Sequence, residues 1–219
     1  MAKVTPAAIA TASLAVTAIK IGNMGLGGAI GAVLDRSLIG LRNLIDRSLA
    51  DVRVAAGMPL RYELMSVSRF IAEVDVTASL EAQARECEFT VSAVDPDLAV
   101  DGDKDTLFSA VGNLLQNAFK FTRHKTEVTL NAFADADRVI IDVKDHCGGL
   151  PEGAEETMFT AFAQSGSDKS GLGLGLSICR RCVEANNGTV SVRDVPGSGC
   201  VFTISLPRHS MSEAQPELV

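Results

Sequence analysis

Asn113-Leu-Leu-Gln-Asn117-Ala-Phe-Lys120-Phe-Thr122 is the stretch on which the fold turns. Asn113, Asn117 and Lys120 stand at i, i+4 and i+7, so a helix places all three on one face. Leu114, Leu115, Ala118 and Phe121 face elsewhere and are free to pack. Two carboxamide oxygens on one polar stripe suit a hard cation such as Mg²⁺, which keeps waters and phosphate oxygens as its other ligands. The lysine adds a positive charge suited to phosphate. An amphipathic helix with a polar outer face would show the same spacing, so the stretch needs its neighbours.

Two neighbours matter. Asp145-His-Cys-Gly148-Gly149-Leu150 follows an apolar strand directly. An aspartate at a strand end can accept a hydrogen bond from a buried amino group, and Gly148 and Gly149 let backbone approach a flat ligand. A plain strand-end turn would look similar. Further on, Ser170-Gly171-Leu-Gly173-Leu-Gly175-Leu-Ser177 opens a helix. Alternating glycines before a helix make a loop whose N–H groups can cradle phosphates. The spacing is GxGxG without a leading strand, so it is not the dinucleotide fingerprint. No GK[ST] follows, so it is not a Walker loop.

The order of the three is more specific than any one of them. Together they resemble the N, G1 and G2 boxes of the Bergerat (GHKL) ATP-binding fold, and most nearly those of sensor histidine kinases. Phe159 and Phe162 in Met158-Phe-Thr-Ala-Phe-Ala resemble the F box. The resemblance implies that Asp145 meets the adenine amino group and that Gly149 allows close packing beside the nucleotide. It implies that Asn117, with Asn113, holds Mg²⁺ against the triphosphate of ATP. Lys120 and the backbone of Gly171, Gly173 and Gly175 would contact phosphates. Residues 150–170 would form the ATP lid, with Lys169 reaching a phosphate. Cys147 departs from the glycine usual at its position. Gyrase, MutL and the large heat-shock chaperones share the fold but use a glutamate in the N-box helix to activate water. Here Gln116 precedes Asn117 and no Glu occurs from Asp103 to Arg123, so slow hydrolysis is expected.

The rest of the chain frames this core. Helices are expected over 66–86 and 103–123, and after the glycine loop to about Asn186. Strands are expected over 88–94, 126–133, 138–143, 189–194 and 200–206, the last two joined across Pro196-Gly197-Ser198-Gly199. Helices then lie on one face of a mixed or antiparallel sheet, an α+β sandwich. Ahead of it, Thr5-Pro6 starts a helix that ends near Gly22-Asn23. Leu34, Leu38, Leu41, Ile45, Ser48 and Val52 form a heptad seam. The two segments read as a hairpin that pairs with a second copy into a four-helix bundle. This divides the chain into 1–58 (dimerisation, phosphotransfer-like), 59–207 (ATP-binding) and a flexible tail, 208–219.

Composition narrows the function. The 219 residues carry a net charge of −7, which argues against nucleic acid as partner. The N-terminal apolar run is broken by Lys20 and by glycines, which argues against a membrane span or a strong signal peptide. Five cysteines form no disulfide framework and point to a reducing, cytoplasmic setting. Cys179-Arg-Arg-Cys182 has CxxC spacing without the second pair a zinc site needs.

A histidine kinase of the usual kind carries its acceptor histidine on the first hairpin helix. The three histidines here are His124, His146 and His209, and none lies within 1–60. Three readings follow. One is a histidine-kinase-like protein of a bacterial two-component pathway, with a response regulator or phosphotransfer protein as partner, acting in trans or by regulatory binding. The second is a serine/threonine kinase of the anti-sigma-factor type, which the N-terminal hairpin disfavours. The third is a catalytically silent dimeric interaction module.

Overall fold

The computed structural model describes residues 59–151, 153–161 and 174–211. The expected N-terminal hairpin, and with it Lys169, Gly171, Gly173 and Phe162, lie outside the described residues.

The chain enters through β1 (Tyr62–Ser66) and passes directly into α1 (Val67–Ala84). Ser66 ends the strand and caps the helix, its Oγ accepting from Arg69 N. Val67, Phe70, Ile71, Val74, Ala78 and Ala82 are the buried residues of α1, at spacings of three, one, three, four and four. After β2 (Glu88–Val91), β3 (Leu98–Asp103) leads straight into α2 (Lys104–Phe121), with Asp103 as the cap. The α2 residues Ala110, Val111, Leu114, Leu115 and Ala118 are at most 2% exposed. Truncating a leucine at such a site costs about 2–5 kcal/mol. Changes on this face therefore report on folding, whereas changes on the opposite face can report on a ligand.

Two sheets carry the helices. The larger has five strands in the order β2-β4-β5-β7-β6, where β4 is Glu127–Asp135, β5 Arg138–Lys144, β6 Thr189–Val195 and β7 Gly199–Pro207. The β2–β4 pair is parallel and the others are antiparallel, which makes the sheet mixed. Along β4, β5 and β7 the two faces alternate. Val128, Leu130, Ala132, Val139, Ile141, Val143, Phe202, Ile204 and Leu206 enter the core, while Asn131, Asp142 and Thr203 sit side by side on the other face. A one-residue slip would exchange the faces, so burial of the apolar set fixes the register. A one-turn helix, α3 (Ala154–Thr157), and α4 (Gly175–Glu184) complete this part.

The smaller sheet is antiparallel, in the order β1-β3-β8, and was not expected from sequence. Its third strand, β8 (His209–Ser210), pairs with Leu98 and Ala99 of β3. Ordered structure therefore continues past residue 207. His209, expected in a solvated tail, sits half-buried in a strand. The other element boundaries fall within about three residues of those expected. Cys179 and Cys182 are fully buried in α4 as core residues.

A polar knot joins α2 to the end of α4. Fully buried Asn186 accepts from Asp103 N (2.7 Å) and donates to Thr106 Oγ1 (2.8 Å) and Cys182 O (2.7 Å). Asp103 in turn accepts from Thr106 N and Arg61 N. Buried polar groups that are fully partnered rigidify a core. This knot sets α4, and hence the start of α4, against α2.

Candidate nucleotide site

The site is built from the polar face of α2, the turn after β5 and the N-terminus of α4. Asn113 is half-buried. Its Nδ2 donates to Ser109 O at 3.0 Å one turn back, which leaves Oδ1 pointing away from its own helix. That oxygen faces Gly175, where a Cβ would stand 3.4 Å away. The first box and the last thus meet across the α2–α4 contact. Asn117, also half-buried, makes no side-chain hydrogen bond among the described residues. Two amide oxygens one helical turn apart, both without a strong competing donor, are the hard ligands that Mg²⁺ takes alongside water and phosphate. The donor set therefore fits the ion. Lys120 lies on the same face, its Nζ 4.7 Å from the Phe121 ring centre.

Asp145 follows β5 and is 2% exposed. Its Oδ1 accepts from Cys147 N at 2.9 Å and from Cys200 N at 3.1 Å. Its own N–H donates to Cys200 O at 3.0 Å. Both backbone donors converge on one oxygen, and among the described residues no backbone N–H reaches Oδ2. The strands approach closely here: a Cβ at Gly199 would overlap the Asp145 carbonyl. Gly149 has φ +108°, a conformation that favours glycine.

The turn is tied to its surroundings at both ends. His146 N donates to Thr122 Oγ1 (3.1 Å), and Arg123 N donates to His146 O (3.2 Å), which joins the turn to the end of α2. His146 Nδ1 lies 2.7 Å from Glu127 O. This contact engages one ring nitrogen with β4. At the other end, Leu150 N donates to Asp194 Oδ1 (2.8 Å), and Asp194 N donates to Glu155 Oε1 (3.0 Å). Phe159 of the F box is 4% exposed, packed edge-on against Phe202 at 6.5 Å, with the Arg180 guanidinium 4.8 Å above its ring. Sequence reasoning did not single out Thr122, Glu155, Asp194 or Asn186. All act through partners at least 24 residues away.

The two-layer fold, with an amide on α2 facing a glycine at the start of α4 and a buried aspartate after β5, defines a GHKL-type ATPase domain. Residues 102–210 match the family of histidine kinase-, DNA gyrase B-, and HSP90-like ATPases, and the chain belongs to that family through this domain. Its relatives are sensor histidine kinases of two-component systems. It is 35% identical over 105 residues to the sensor protein KdpD of Escherichia coli, an alignment covering 47% of this chain and 12% of that one. It is 31% identical over 183 residues to KdpD of Mycobacterium tuberculosis, covering 80% of this chain and 21% of that one. The chain thus spans a small part of the curated relatives it matches. Among solved structures, full-length ShkA in complex with AMPPNP superposes with a TM-score of 0.65 at 25% identity, covering 92% of this chain and 44% of that one. No helix among the described residues is long and apolar enough to cross a membrane.

Proposed function

We propose that this domain binds Mg-ATP and serves a two-component pathway, in trans to the phosphate acceptor or by regulated binding to a response regulator. The observation that supports the reading is the Asp145 carboxylate, buried, with two backbone N–H groups on one oxygen and, among the described residues, none on the other. A buried acceptor of this kind suits the exocyclic amino group of adenine, because leaving it unpaired would cost about 1–3 kcal/mol. Asn113 and Asn117 would hold Mg²⁺, which supplies positive charge against the phosphates. Lys120 and the glycine loop, with Lys169, Gly171, Gly173 and Gly175, would contact the phosphates. Gly149 would let the base approach. The residues 1–58 would pair two copies in a reducing, cytoplasmic setting.

Gln116 offers no carboxylate to activate water, so hydrolysis is expected to be far below ~10 per second, a typical enzyme rate. The test is the fate of γ-labelled phosphate from Mg-ATP with the purified chain alone, then with a candidate response regulator. ATP bound and retained, with no label on the chain, is the expected result. Acid-labile label on the chain itself would place an acceptor histidine within it. Failure to bind ATP would overturn the reading.

A further inference from the structure

The two backbone N–H groups that hold Asp145 belong to two cysteines, and the side chains of those cysteines meet. Cys147 Sγ and Cys200 Sγ lie 3.0 Å apart, although 53 residues separate them in sequence. Both are free thiols. Their sulfurs and an Asp145 carboxylate oxygen all fall within 4.8 Å of one another. A disulfide has an S–S bond of about 2.05 Å, so closure needs a movement of about 1 Å. A tetrahedral zinc dithiolate, with Zn–S near 2.3 Å, would need the sulfurs to part to about 3.8 Å. The two movements are of similar size, but a structural zinc site takes four protein ligands, and among the described residues only Asp145 joins the two sulfurs, which favours a sulfur–sulfur bond. Exposure is graded across the pair: Cys147 is half-buried and Cys200 is 1% exposed.

We propose that Cys147 and Cys200 are an oxidation site, which a hydroperoxide converts to a disulfide that locks the Asp145 turn. The more accessible Cys147 reacts first. Its thiolate attacks one peroxide oxygen, an S–O bond forms, the O–O bond breaks, and the leaving oxygen departs as water or an alcohol after taking a proton. The Cys200 sulfur then attacks the Cys147 sulfenic acid. The S–S bond forms, the S–O bond breaks, and hydroxide leaves with the Cys200 proton as water. Two thiols and one hydrogen peroxide thus give one disulfide and two waters, with sulfur oxidised and oxygen reduced. Burial pushes both thiols above the ordinary thiol range, so the thiolate is scarce at neutral pH and closure is slow. The site answers sustained oxidant rather than trace peroxide. Transient sensing disulfides of this kind do occur in reducing compartments.

The consequence for nucleotide rests on the proposed function. Asp145 heads the turn that contains Cys147, and a covalent tie from that turn to β7 fixes it away from its reduced geometry. Nucleotide and disulfide would then oppose each other, each disfavouring the other by the same factor at equilibrium.

The experiment treats the reduced, full chain with hydrogen peroxide, blocks residual thiols, and maps disulfide-linked peptides by mass spectrometry. A Cys147–Cys200 link is expected in the wild type and in Cys87→Ser, and is expected to be absent from Cys147→Ser. Saturating Mg-ATP should slow its formation, and the oxidised chain should bind ATP about tenfold more weakly, within the usual range of coupled sites, with recovery on reduction. Peroxide that leaves both thiols free, or that links Cys147 elsewhere, overturns the oxidation site. A mapped Cys147–Cys200 link with unchanged ATP affinity overturns the lock. If the reduced chain binds no ATP, the nucleotide reading fails while the peptide map still decides the disulfide.

Discussion

Asp103 and Asp145 both close a β-strand, both are 2% exposed, and each accepts two backbone hydrogen bonds. They differ in how those bonds are shared. Asp103 receives one on each oxygen, from Arg61 N on Oδ2 and Thr106 N on Oδ1. Its own N–H goes to fully buried Asn186. Both oxygens hold backbone, and the residue caps α2 and seals a knot. Asp145 receives both on Oδ1. Burial therefore does not separate the two carboxylates. The distribution of donors over the two oxygens does: among the described residues it leaves Asp145 Oδ2, and neither oxygen of Asp103, without a backbone partner.

The sharpest way to break this contrast is Asp145→Asn. The carboxamide can satisfy the backbone donors with its oxygen but then presents N–H to the adenine amino group, donor against donor. ATP affinity measured by calorimetry should fall about 100-fold, or about 2.7 kcal/mol, with the folded circular dichroism retained. Unchanged affinity would remove Asp145 from the site. Asp103→Ala should do the reverse. Loss of the cap and an orphaned Arg61 N–H should together cost about 2–3 kcal/mol in urea unfolding, while ATP affinity of the folded protein holds. A loss of affinity without a loss of stability would show that the knot is part of the site.

Asn117→Ala should be milder. Affinity should drop about tenfold, or 1.4 kcal/mol, in Mg²⁺ and not at all in EDTA. An equal drop in EDTA would assign the amide to the nucleotide rather than the metal. The smallest effect is on pH. Burial raises the Cys147 and Cys200 thiols above their ordinary value of 9.0, so the unfolded chain gives up those protons first. Their contribution is complete below that value and is lost as pH rises through the higher folded values. Unfolding midpoints should therefore decline above about pH 9. Cys147→Ser should flatten that decline; an unaltered slope would place the titrating groups elsewhere.

Much of this domain was legible in the chain. The spacing of Asn113, Asn117 and Lys120 predicted one polar helical face, and alternation along 126–133, 138–143 and 200–206 predicted the central strands. Both signals are local, because helix and strand periods are set within a few residues. The smaller sheet was not legible. Leu98-Ala-Val-Asp-Gly-Asp103 has three apolar residues and then a turn-like Asp-Gly, with no period of two. His209-Ser210 is too short to carry a pattern. Asn186-Asn-Gly188 read as a helix stop, which it is, but nothing in it announced a fully buried side chain bonded to α2.

The sequence by itself determined the faces, the order of the boxes and the family they belong to. Each depends on residue types at short spacings, where backbone geometry alone puts side chains together. Only the tertiary structure decided which oxygen of Asp145 takes both backbone donors, that Asn186 reaches Asp103 across 83 residues, and that Cys147 meets Cys200 across 53. Those pairings arise from strand order and helix packing, which bring distant segments together once a shared core is buried and leave no trace in either segment alone.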